Sequence, residues 1–209
     1  MSKMTIHRGL SELKTLKSRI QKAIEEMSLV NLAQNGKKIA GQFTEEEFAK
    51  LAQSDFDSVT SLIERQRSIK QLIVNSNATT DVTVGSKQMK VADAITMKDL
   101  LQIRKTLVVK LQSQLTHALA VLNKNNENVA TNCQKILEHT FGSDRAKISR
   151  EDIEAVQIPF LTNNEFRLID PLKLSDRIKA MSAEIAEFET NVDAALSESN
   201  AVTFIEVTD

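Results

Sequence analysis

Leu174, Ile178, Met181, Ile185, Phe188, Val192 and Ala195 keep an unbroken alternation of four- and three-residue steps. Only an α-helix brings such positions onto one stripe, and a stripe of this kind is the seam along which helices pack as coiled coils. Asp170-Pro171 just before it supplies an N-cap and a proline at the first helical position, where its missing N–H is not needed. A seam must be covered by other helices, and three more are legible.

The first runs from Ile6 through Leu10, Leu13, Ile20, Ile24 and Met27, with Lys17 at the one interrupted seam position, and SLVNLAQNGKKIAG with its Asn35-Gly36 follows as a connection. The second opens at Thr44-Glu45-Glu46-Glu47, a capping box, and carries Phe48, Ala52, Phe56, Val59, Ile63, Ile69 and Ile73 to about Asn75. The third holds Met97, Leu101, Val108, Leu111, Leu115, Ala118 and Leu122 on one frame broken by Arg104, with Leu100, Ile103 and Leu107 widening the stripe. Val129, Cys133, Ile136 and Leu137 resume the spacing beyond KNNEN at 124–128, so this helix is expected to reach His139. The pattern lapses over 142–169, an irregular connecting segment in which Ser149 starts at most a short helix ended by Pro159. Five Gly and two Pro in 209 residues suit long helices with few turns.

SNATTDVTV at Ser76 and SNAVTFIEV at Ser199 are nearly the same nine residues, each after a helix. Asn77 and Asn200 suit left-handed C-terminal caps, and the β-branched alternation behind them suits a strand. In the first copy Gly85-Ser86-Lys87 leads to a second alternating run, giving a β-hairpin over 79–91. An isolated hairpin is marginal in water, so the C-terminal strand 202–207 is expected as its third member. The alternative is a coincidence of two common chemistries, Asn caps and β-branched strands. The expected fold is therefore mainly α: a single elongated domain over 1–209, an antiparallel bundle of about four long coiled-coil-like helices with a small three-stranded sheet at one end.

Chemistry is hard to find. His7, His117 and His139 have no companions at metal-ligand spacing, and no phosphate-binding glycine motif or nucleophile elbow is present. The acidic pairs lie on helix faces or in first turns, where carboxylates favour the helix dipole. Arg104 and Gln66 intrude into seams, either setting register or lying at a wet edge. No enzyme activity, metal, cofactor or small-molecule substrate is expected. Twenty-seven basic against 28 acidic side chains, interspersed, argue against a nucleic-acid partner. No stretch reads as a secretory leader or a membrane span, and the lone Cys133 excludes an intrachain disulfide and reads as a buried filler.

The blocks IVNSNATTDVTVGSKQMKVADAITMKDLL and DPLKLSDRIKAMSAEIAEFETNVDAALSESNAVTFIEV together resemble small helical structural or uncharacterised proteins of bacteriophages and prophages. The likeness is carried by Asn77, Ala78, Thr79, Ala92, Asp93, Ala94, Ile95, Asp170, Pro171, Asn200 and Ala201. A weaker similarity, in the N-A-T hairpin and the A-D-A-I helix start, is to bacterial septicolysin-like proteins, whose name suggests pore formation. The phage likeness implies a virion component of the head-tail connection, tail or baseplate, partnered by other virion proteins or by itself in a homo-oligomer or ring. It implies location in the virion after assembly in the host cytoplasm, or in the cytoplasm if the chain is not phage-derived. Strand edges at Val82, Val84, Met89, Val91, Thr203, Phe204, Ile205 and Val207 are the candidate interaction residues. A septicolysin-like membrane-acting protein and a cytoplasmic coiled-coil adaptor, binding a helix along the third seam, are the alternatives.

Overall fold

A computed structural model describes residues 2–34, 38–39, 41–142 and 148–207. Among them are four long helices, α1 (Ile6–Glu26), α2 (Glu45–Thr79), α4 (Leu101–Phe141) and α6 (Leu174–Val202), and two shorter ones, α3 (Val91–Asp99) and α5 (Arg150–Asn164). Four strands of four residues each complete the set: β1 (Ser2–Thr5), β2 (Asp81–Val84), β3 (Lys87–Lys90) and β4 (Phe204–Val207). The chain divides into two compact units, Met1–Asp99 with Glu187–Asp209, and Leu100–Ala186. Helix α6 contributes to both, and the turn at Leu100 that separates α3 from α4 marks the other boundary.

In the first unit α1 packs on α2 around Met4, Ile6, Leu16, Ile20, Ile69, Ile73, Ile205 and Val207, with Leu13, Leu62 and Leu72 at the margin. Ile6, Leu13 and Ile20 of the expected α1 seam face the core, but the positions between them are displaced by one residue. Leu16 rather than position 17 faces inward, together with Ile6, Gly9 and Ile20, while Leu10 and Ile24 remain 43% and 41% exposed. Both frames satisfy helical spacing, and the one that is used lets α2 lie against Gly9, where Ile73 and Ile69 come within 3.3 and 3.6 Å of the place a Cβ would occupy.

Helix α2 starts as its capping box predicts: the Glu47 N–H donates to Thr44 Oγ1 at 3.2 Å and the Thr44 N–H donates to Glu47 Oε2 at 2.8 Å. Those bonds favour the carboxylate and hold the Glu47 pKa below its ordinary value of 4.5, the backbone N–H of Thr44 contributing most. The helix runs four residues past Asn75 to Thr79.

In the second unit the expected seams of α4 and α6 meet at Val108, Ile178 and Ile185, flanked by Leu101, Leu111, Leu115, Leu174 and Met181. Arg104, half-buried in this seam, donates from Nη2 to Glu184 Oε2 at 2.6 Å, so the charged intrusion has a partner across the seam. Gln66 is likewise half-buried. Helix α4 continues through KNNEN, and Val129, Cys133 and Leu137 are buried beyond it. Helix α6 begins at Leu174 rather than at Pro171, so Asp170 is not the residue that adjoins its first turn; its Oδ2 instead accepts from the Leu174 N–H at 2.8 Å across a turn.

The connecting segment is more regular than its sequence suggests. After the described start at Ser149, whose hydroxyl accepts from the Asp152 N–H, α5 continues past Pro159 to Asn164. A proline inside a helix removes one N–H and crowds the carbonyl of Ala155, but it does not forbid helix on both sides. The chain then lies against α4, where the Asn126 amide donates to the Phe166 carbonyl at 3.0 Å and accepts from its N–H at 2.8 Å.

Candidate functional site

The strands form two separate two-stranded ribbons, β2–β3 and β1–β4, in place of the expected three-stranded sheet. The partner of β4 is the segment before α1: Ser2 pairs with Val207, Lys3 with Glu206, Met4 with Ile205 and Thr5 with Phe204. The hairpin pairs Asp81 with Lys90, Val82 with Met89, Thr83 with Gln88 and Val84 with Lys87. Its two-residue turn has Gly85 at φ 60°, the left-handed geometry that glycine enters without a Cβ penalty.

The repeated nonapeptide folds the same way twice. Each copy ends its helix at the fourth residue, Thr79 or Val202, and the N–H of the fifth donates back to the first: Thr80 to the Ser76 carbonyl at 2.8 Å, Thr203 to the Ser199 carbonyl at 3.0 Å. Thr80 is extended, at φ −77° and ψ 130°, and Asn77 and Asn200 lie inside their helices, so no left-handed asparagine cap is used. The last four residues of each copy form the strand, with the same alternation of exposed and buried positions: Val82 and Val84 inside in one, Ile205 and Val207 in the other.

The equivalence extends to the strands that answer them. The Val91 N–H donates to the Thr80 carbonyl at 3.0 Å and the Ile6 N–H to the Thr203 carbonyl at 2.9 Å, and at each of these residues the answering strand becomes a helix. Met89 then corresponds to Met4, Val91 to Ile6, and the buried Ala94 to the buried Gly9. Unit 1 thus contains a helix–strand paired with a strand–helix twice over. One pair is contiguous, α2–β2 with β3–α3; the other, α6–β4 with β1–α1, is drawn from distant parts of the chain.

Charged side chains decorate both. Lys90 bridges to Asp81 at 2.9 Å and Lys3 to Glu206 at 3.3 Å, exposed cross-strand pairs worth at most about 1 kcal/mol each. The hairpin turn has an additional guard, because Glu187 Oε1 on α6 accepts from the Ser86 N–H at 2.7 Å. A shallow groove lined by Thr80, Asp81, Thr83, Ala195, Glu198 and Val202 runs beside β2. Its polar side chains are hydroxyls and carboxylates, set among Ala195 and Val202. No set of three or more His, Cys, Asp or Glu suited to a metal occurs among the described residues.

The eight candidate interaction residues are therefore not one edge. Val82, Val84, Met89 and Val91 belong to one ribbon; Thr203, Phe204, Ile205 and Val207 belong to the other. Val82, Val84, Val91, Ile205 and Val207 are buried in the unit itself, and Met89 and Thr203 are half-buried. Only Phe204 presents its side chain outward, 60% exposed, next to Val202 at 67%. What sequence reasoning missed is the strand Ser2–Thr5 with Met4, and the place of Ile6, read as a helix position alone, at its end. The available signal was a Met followed two residues later by a β-branched residue, Met4-Thr5-Ile6 matching Met89-Lys90-Val91.

Compared with known protein families, characterised proteins and solved structures, the chain has no significant match. No helix among the described residues is long and apolar enough to cross a membrane.

Proposed function

We propose that this chain is a non-enzymatic structural and interaction protein that assembles with copies of itself, as a component of a bacteriophage particle at the head-tail connection, tail or baseplate. The observation that carries the reading is the outer side of the β1–β4 ribbon. Phe204 and Val202 lie exposed where α6 passes into β4, beside a strand whose second edge meets no further strand among the described residues. Burying a Phe side chain is worth about 1.5–3 kcal/mol, and a free strand edge offers backbone donors and acceptors to an incoming segment. Anchor and edge together suit a repeated protein–protein contact. The likeness of the two sequence blocks to phage structural proteins supports the virion setting, and the packing of α1 on α2 behind the ribbon would supply a firm support for the contact.

Phe204→Asp tests the reading without touching the core residues Ile205 and Val207. The variant should keep its helical circular dichroism while losing the higher-mass species that light scattering detects for the parent, and it should no longer band with particles on a density gradient. A parent chain that is monomeric at every concentration and absent from particles would sink the proposal.

A further inference from the structure

The two ribbons differ in one respect that bears on assembly. Gly85-Ser86 ties β2 to β3, so those strands necessarily come from one molecule, whereas no turn ties β1 to β4. We propose that the β1–α1 arm is exchanged between copies, so that β4 of one molecule pairs with β1 of another. This deepens the assembly reading above, on which it rests, by naming the partner as a second copy and the contact as the open ribbon.

The arm is a self-contained piece of the interface. Met4, Ile6, Leu16 and Ile20 cover Ile69, Ile73, Ile205 and Val207, and Glu12 accepts from Arg65 Nε at 2.6 Å. With the Ile6-to-Thr203 backbone bond and the Lys3–Glu206 pair, every one of these contacts can be made unchanged by an arm from another molecule. Exchange of an identical element keeps all of these, and the contacts at risk are confined to the tether, the Ile39–Phe43 bridge and the cover of Ile39, which makes it a low-cost route to an oligomer.

The tether allows it. Between α1 and α2 the chain runs from Met27 to Phe43, and its described part holds no helix and a single isolated bridge, Ile39 to Phe43. Fully extended, a segment of that length spans on the order of 50 Å. An α1 of 21 residues is about 30 Å long, so the arm can leave one α2 and lie along another. Reciprocal exchange between two molecules gives a dimer, and exchange passed along a series gives a ring or filament.

The repeat provides its own control for the test. Lys3 and Glu206 are register partners, and the Ile6-to-Thr203 bond places them at a non-hydrogen-bonded pair, where Cα atoms are about 4.5 Å apart and a disulfide fits. Thr83 and Gln88 are the matching partners in the closed ribbon. In the full chain carrying Cys133→Ala, the pairs Lys3→Cys with Glu206→Cys and Thr83→Cys with Gln88→Cys are equilibrated over a concentration series, oxidised, and run on non-reducing gels. Circular dichroism of the reduced proteins checks folding, and oxidation of the unsubstituted surface is excluded by the single-cysteine variants.

Exchange predicts bands at two and more times the 23.3 kDa chain mass for the first pair, growing with concentration, and only an intrachain link for the second. Multimers from both pairs, or equally from the single-cysteine variants, would mark chance collision and overturn the proposal. An intrachain link alone in the first pair, in a protein that light scattering shows to be oligomeric, would overturn exchange and leave assembly through Phe204 standing. The same link in a protein that stays monomeric would remove both.

Discussion

The β2–β3 and β1–β4 ribbons share an alternation, a relation to the helix before them and a helix start after them, yet they differ in how much chain must be ordered to close them. The first closes over two residues; the second brings Thr5 next to Phe204. Loop closure costs entropy that grows only as the logarithm of length, so both can be stable, but pairing of distant segments comes late in folding. Identical local chemistry thus yields one ribbon that is an early, local structure and one that depends on the rest of its unit. Amide exchange at 204–207 should accordingly track the opening of unit 1, while 81–84 can stay protected through partial opening.

The largest test of this difference is in the shared buried positions. Ile205→Ala should destabilise unit 1 by about 2–5 kcal/mol, and its counterpart Val82→Ala, which removes less, by about 2 kcal/mol, both read from urea unfolding. A costlier change at Val82 would mean that the closed ribbon, not the open one, holds the unit together. Next, Gly85→Ala should cost about 1–2 kcal/mol for the left-handed backbone. More is expected if Glu187 cannot move, because its Oε1 lies 2.5 Å from where the Cβ would be. No equivalent change exists in the open ribbon, which has no turn.

The helices that feed the two ribbons begin differently, α2 at a capping box and α6 across an Asp170 turn. Thr44→Ala should cost about 1 kcal/mol. Since the Glu47 pKa is lowered in the folded chain, its contribution is complete above the ordinary value of 4.5 and disappears as pH falls through the folded value below it. The loss caused by Thr44→Ala, followed by helical circular dichroism, should therefore be full at neutral pH and shrink in acid. The smallest effect is expected at Gly9→Ala. Its counterpart Ala94 already carries a Cβ, and the new methyl would press on the side-chain ends of Ile73 and Ile205, at 3.3 and 3.4 Å, with Ile69 in ordinary contact at 3.6 Å. Helix propensity then favours Ala by about 1 kcal/mol, less whatever those two side chains lose by shifting. A loss above about 1 kcal/mol, on the scale of a strained core insertion, would show that the two copies are packed to different tolerances.

Much of this architecture is legible in the residues. The α6 seam, the capping box, the passage of α4 through KNNEN, the buried Cys133 and the helix-to-strand reading of the nonapeptide all rest on local spacing, and all are present. What spacing does not encode is the identity of a distant partner. Ser2–Thr5 has one buried residue, Met4, and no alternation of its own; it is a strand because β4 lies beside it. The same limit explains the candidate interaction residues, since period-two alternation marks Val82, Ile205 and Val207 as facing something apolar without saying that it is their own unit. Leu16 next to Lys17 gave two admissible seams, and only the close approach of α2 to Gly9 selects one.

The pairing of Ser2 with Val207 also makes position in the chain and position in space two different things. A label or fusion partner attached ahead of Ser2 and one attached behind Val207 emerge at the same end of one ribbon, so they are not independent probes of the molecule. Conversely, joining Val207 to Ser2 through a glycine-containing turn and opening the chain between Gly85 and Ser86 would swap which ribbon is closed, leaving the arrangement of helices to be read from a new starting point.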